Sequence, residues 1–165
     1  MTHENKDSEN CCPKFDPEPW NEKIHNWKDK LFIKDTVRQI FHKPLQSSMK
    51  KTIGGMWQKA QDAKADPKIN DFLLLATDPS PWKSELYMTV TKNVPEIENV
   101  KLSGTFLSKV FDGPYNAVPK WLKEMEKYVS SQGKKTKKYY IYFTTCPKCA
   151  KIYGHNYAVA FAQVE

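Results

Sequence analysis

The sequence predicts an α+β fold in which two β-α-β-β units form one curved antiparallel sheet, with two helices on one face and a central cleft on the other. Three observations predict it. The order strand, helix, hairpin occurs twice along the 165 residues. Each copy has a single amphipathic helix, which can cover only one side of its strands. Several strands alternate apolar with polar or tyrosyl residues, so each has one row for a helix and one for something else.

The segment to about Trp20 carries Pro13, Pro17 and Pro19 and reads as an irregular arm over residues 1–20. The first unit spans 31–92. Its opening strand is LFIKDTVRQIF, Leu31 to Phe41, rich in β-branched and aromatic residues and ended by Pro44. Met49, Ile53, Met56, Trp57 and Ala60 then recur at helical spacing over Gln46 to Ala63, with Ser47 or Ser48 as N-cap. Gly54 and Gly55 weaken that helix. Phe72 to Thr77 and Glu85 to Thr91 make a hairpin around DPSPWKS, whose prolines exclude a continuous ladder.

The second unit, 103–165, follows a polar connector. Thr105 to Phe111 is its strand, and Asp112-Gly113-Pro114 is a turn opening a helix. Val118, Trp121, Leu122, Met125, Tyr128 and Val129 mark that helix's buried face, and Gly133 stops it. KYYIYFT and NYAVAFAQV, from Lys138 and Asn156, are the closing strands.

Composition narrows the function. The formal charge is +7, from 26 basic and 19 acidic residues, but Arg38 is the single arginine. A reader of base edges leans on the arginine fork, and no nucleic-acid-binding motif accompanies the GKKTKK run at Gly133 to Lys138. Direct nucleic-acid binding is therefore not expected. No run approaches the roughly 18 apolar residues of a membrane span. The first ten residues lack an apolar signal core, so a cytoplasmic location is the expectation. Neither a Gly-rich phosphate loop nor a G-x-S-x-G nucleophile elbow occurs.

Alternation nominates the site residues. If Leu86, Met88 and Val90 meet the helices, Glu85 and Tyr87 face the cleft, where an enclosed carboxylate can act as a general base or hold a cation. Ile141 and Phe143 likewise leave Tyr140 and Tyr142 for the cleft. Trp82, in the hairpin loop, is a cleft wall or packs structurally. Tyr115 offers its hydroxyl to a ligand or to neighbouring backbone. Ala158, Ala160 and Ala162 admit a close helix.

Cys146-Pro-Lys-Cys149 has the spacing of a metal knuckle, since two thiolates at i and i+3 can both reach an ion about 2.3 Å away. A closed zinc site needs about four ligands, which Cys11 and Cys12 would complete, with His42 and His155 as substitutes. Reactive thiols and plain packing are the competing readings. Any zinc would be structural, and the cleft itself requires no cofactor.

TFLSKVFDGPYNAVPKWLKEMEKYV and YYIYFTTCPKCAKIYGHNYAVAFAQV resemble the GyrI-like superfamily of duplicated β-α-β-β domains. CCPKFDPEPW, SPWKSELY and TTCPKC are similar to a narrower group of stand-alone bacterial proteins labelled as hydrolases. The resemblance implies a central cleft with aromatic walls and a buried glutamate that takes small hydrophobic, aromatic or cationic molecules. For some stand-alone members it implies hydrolysis of strained cyclopropane-containing electrophiles. Carried onto this chain, it points to Trp82, Glu85 and Tyr87 in the first copy and to Tyr115 with Tyr140 or Tyr142 in the second. An enzyme would then use Glu85 on water and a tyrosine such as Tyr140 on developing negative charge, a sensor or sequestering protein would use the same groups only to bind, and a structural protein with a cysteine-bound zinc would leave the cleft as a packing seam.

Overall fold

The computed structural model describes residues 15–41, 43–68, 71–144, 151 and 154–165. The chain divides into two compact units, a central one, Asn26–Gly104, and a terminal one, Met1–His25 with Thr105–Glu165. The elements are β1 (Lys23–Ile40), the short β2 (Lys43–Pro44), α1 (Gln46–Asp62), β3 (Leu74–Ser80), β4 (Lys83–Thr89), β5 (Glu98–Asp112), α2 (Val118–Ser131), β6 (Thr136–Phe143) and β7 (Tyr157–Val164).

In the central unit β1 pairs antiparallel with β4, Phe32 opposite Thr89 through Arg38 opposite Lys83. β3 pairs antiparallel with the other edge of β4, Leu74 opposite Met88. Ile33, Val37, Leu86 and Met88 project from one face onto Met56 and Ala60 of α1, and all six are buried. The helix packs although its two adjacent glycines would meet nothing within 4 Å if each carried a Cβ. Its predicted serine cap does not form. Leu45 occupies the N-cap and no side chain caps the first turn.

Aspartate and proline at 78 and 79 do not end β3. They fall in a register shift between Thr77 and Ser80, where a proline gives up no ladder hydrogen bond. β1 also outruns its predicted start, entering at Lys23 with Asp29 at φ 49° along the way.

In the terminal unit β5 and β6 flank β7, with Leu107 opposite Ala162 and Ile141 opposite Ala160. Ala158, Ala160 and Ala162 line up beneath Trp121, Met125 and Val129 of α2. Their small side chains let the helix backbone come near the sheet while Phe111 stacks on Trp121 at 5.6 Å between centroids. Pro114 opens a single 3₁₀ turn, Tyr115–Ala117, rather than α2 itself. The helix stops where Gly133 takes φ 70°, with its N–H donating to the Ser130 carbonyl and that of Lys134 to Val129. That pair of bonds satisfies carbonyls the helix would otherwise leave open.

The open curved sheet with a free concave face is not what forms. Strand order is β2-β1-β4-β3-β6-β7-β5, and β1 pairs with β5 as well. The pairing closes six antiparallel strands into a barrel with two α-helices among the described residues.

Enlarging the alanine row should separate α2 from its strands. Ala160→Leu is expected to destabilise the protein by about 1–3 kcal/mol in urea unfolding, because a filled core has no space for three more carbons. A stability unchanged from wild type would contradict the packing described.

Candidate functional site

The face of the central sheet turned away from α1 carries the polar chemistry. Directly opposed residues of antiparallel strands share a face, and the register sets Lys34 against Tyr87, Thr36 against Glu85, Leu75 against Tyr87 and Thr77 against Glu85. Glu85 and Tyr87 therefore stand on the face that alternation assigned them, and both are buried. The Lys34 ammonium makes a short ion pair with the Glu85 carboxylate and lies 5.7 Å from the centroid of the Tyr87 ring. Glu98 is a more distant partner, at 4.0 Å. The hydrogen bond to Glu85 raises the pKa of Lys34 above its ordinary value, against the opposing effect of burial, so the lysine stays protonated. Beside this pair, the Thr77 hydroxyl is buried without a hydrogen-bond partner in the structure.

Trp82 does not join this cluster. It is 56% exposed in the β3–β4 connection, where its ring packs on Phe41 at 5.1 Å. Phe41 is itself exposed and holds φ 47°.

Tyr140 and Tyr142 belong to the terminal unit, on the sheet face away from α2, as Ile141 on the α2 side requires. Tyr140 is buried, 6.1 Å from the Phe106 ring and beneath the ammonium of Lys138 at 5.3 Å. Tyr142 meets the edge of Phe15 at 6.5 Å. Tyr115 begins the 3₁₀ turn, and its side chain lies outside the described residues, as do Cys11, Cys12, Cys146, Cys149 and His42. Among the described residues no group of three or more His, Cys, Asp or Glu side chains is arranged to hold a metal. No helix among them is long and apolar enough to cross a membrane.

His155, named as a substitute ligand, is engaged elsewhere. Its Nδ1 lies 2.7 Å from Asp112 Oδ2, while Asp112 Oδ1 accepts the Asn156 N–H at 2.9 Å. The imidazole also stacks on Tyr157 at 4.9 Å. Burial pushes the Asp112 carboxyl up, but the hydrogen bonds from His155 and the Asn156 amide outweigh it and leave the group below its ordinary value.

Two participants were missed by reading the sequence. Lys34 is one, and the available signal was its place in the row Phe32, Lys34 and Thr36, on the face opposite Ile33 and Val37. The other is a histidine–serine pair in the terminal unit. His25 Nε2 lies 2.7 Å from Ser108 Oγ, which donates its own proton to the Trp20 carbonyl at 2.6 Å. With that proton committed, Nε2 must be the donor to Oγ. The histidine therefore cannot accept the serine proton in this arrangement, and the pair is a structural clasp rather than a nucleophile and its base.

Comparison with known proteins places these features. The profile of a family described as bacterial hydrolase matches residues 2–164. No curated protein matches the chain. Among solved structures it is similar to the EcmrR C-terminal domain, at 14% identity and a TM-score of 0.64 over 88% of this chain and 98% of that one. A hydrolase from Listeria innocua matches at 9% identity and 0.60, covering 88% and 92%. SAV2435 bound to tetraphenylphosphonium matches at 12% and 0.50, covering 88% and 94%. Likeness at such identities establishes a shared fold, in keeping with the resemblance to GyrI-like domains.

Two substitutions test the outlying pairs. Ser108→Ala is expected to cost about 1–3 kcal/mol in chemical denaturation, since it strands the Trp20 carbonyl and the His25 N–H. For Asp112 the lowered native pKa means that its contribution is complete above the unfolded value, near 3.8, and is lost as pH falls through the native one. Asp112→Asn should flatten the loss of stability below about pH 4, read as Tm against pH; an acid limb as steep as that of wild type would contradict this.

Proposed function

Since the chain belongs to the bacterial hydrolase family, we propose that it adds water to a small, hydrophobic electrophile, with Glu85 of the central unit as general base. The observation carrying this reading is the placement of a buried carboxylate directly opposite a buried hydroxyl without a partner, that of Thr77, with Tyr87 next along the same strand face. Buried polar groups are normally satisfied, so an orphan beside a carboxylate is a natural holder for water or for a polar atom of a substrate.

In this reaction the water oxygen bonds to the electrophilic carbon as its proton passes to Glu85. For a strained cyclopropane-containing substrate, the ring C–C bond breaks and its electron pair moves onto the conjugated acceptor, which is then protonated. One water is gained overall, and no redox partner is needed. The Tyr87 ring supplies an apolar wall and its hydroxyl a donor for the developing negative charge.

The second reading is a sequestering or sensing protein for aromatic cations. It draws support from the fold shared with SAV2435, whose solved structure holds tetraphenylphosphonium.

Incubation with a panel of uncharged cyclopropane-bearing electrophiles, followed by mass spectrometry, tests the first reading. Products heavier by one water are expected with wild type. Glu85→Gln keeps the shape and removes the base, and should lower the rate by about 10²–10⁴. Equal turnover by the variant, or none by wild type across the panel, would count against catalysis at Glu85.

A further inference from the structure

A carboxylate beside the face of an aromatic ring is the pairing that recognises an organic cation. In the central unit that pairing already has an occupant. The Lys34 ammonium pairs with Glu85 and stands 5.7 Å from the Tyr87 centroid, with Glu98 at 4.0 Å as an outer partner. We propose that Lys34 is a specificity-determining residue, a tethered internal cation that fills the cation subsite at Glu85 and Tyr87 and so restricts the site to uncharged ligands. This deepens the hydrolase reading by naming the charge class of its substrate, and it rests on that reading only for the location of the site.

Three features carry the inference. The register makes the contact local: Lys34 is directly opposite Tyr87 and diagonal to Glu85, a separation that a long side chain spans. Tethering gives the ammonium an effective concentration on the order of millimolar, which a dilute external cation must exceed. The lysine side chain is 23% exposed and that of Glu85 12%, so the pair sits where a ligand can approach but where charge is only partly hydrated. An incoming cation would have to displace Lys34 and leave its ammonium without the carboxylate, a penalty that an uncharged ligand avoids.

The test compares tetraphenylphosphonium with uncharged triphenylphosphine oxide by titration calorimetry. Wild type is expected to bind the oxide at least as tightly as the cation. Lys34→Met should improve affinity for the cation by tenfold or more with little change for the oxide. Lys34→Gln, which keeps a polar head should the methionine variant fail to fold, should shift the ratio in the same direction. Lys34→Arg retains the charge and should behave as wild type. Adding Glu85→Gln to Lys34→Met should erase the gain. A wild-type preference for the cation, or a ratio unmoved by both neutral substitutions, would overturn the proposal. A shifted ratio without any hydrolysis would uphold the tethered cation while the catalytic reading fell, so the two failures are distinguishable.

Discussion

Each helix of this protein can shield one face of three strands, and that restriction governs what every strand residue is free to do. Beneath α1 and α2 the inward rows are mostly apolar, with Ile33, Val37, Leu86 and Met88 under one helix and Leu107, Phe111, Ile141 and the alanine row under the other. The opposite rows hold the buried polar residues Glu85, Thr77, Thr89 and Ser108 beside Phe32, Phe106 and Phe161. A buried polar group costs stability unless it is partnered, so those rows are where ion pairs and hydrogen-bonded clasps concentrate. Lys34 with Glu85, and His25 with Ser108 and the Trp20 carbonyl, are two such solutions with different consequences. The first leaves a charged pair partly open to solvent. The second uses up the hydroxyl proton that nucleophilic chemistry would have required.

Much of this division was legible in the sequence, because a period of two needs no knowledge of the partner strand. Leu86 and Met88 against Glu85 and Tyr87, and Ile141 against Tyr140, fall on the faces that alternation predicts. The helices were legible from their spacing, and the end of α2 from Gly133. The less legible features depend on long-range pairing. Lys34 reads as one polar residue in a strand until the register sets it against Tyr87. Barrel closure likewise depends on which strand edges find each other, including β1 with β5, and no single segment encodes that.

Local misreadings have local causes. Serines 47 and 48 are good caps in isolation, yet α1 begins at Gln46 and its N-cap is Leu45 in an extended conformation, two or three residues before them. The prolines around Trp82 suggested a loop, and the strand absorbs one of them at a register shift. Trp82 was weighed both as a cleft wall and as structural packing, and in the structure its ring packs on Phe41 while both residues stay exposed.

The terminal unit is discontinuous in the chain, assembled from Met1–His25 and Thr105–Glu165, whereas Asn26–Gly104 is contiguous. On a ribosome, the contiguous part emerges with all its own strands before β6 and β7 have been made. The leading segment, with Trp20 and His25, must wait for Phe161 and the rest of the last strand to be translated. Until then Trp20 and His25 lack the Phe161 ring on which both pack in the folded protein.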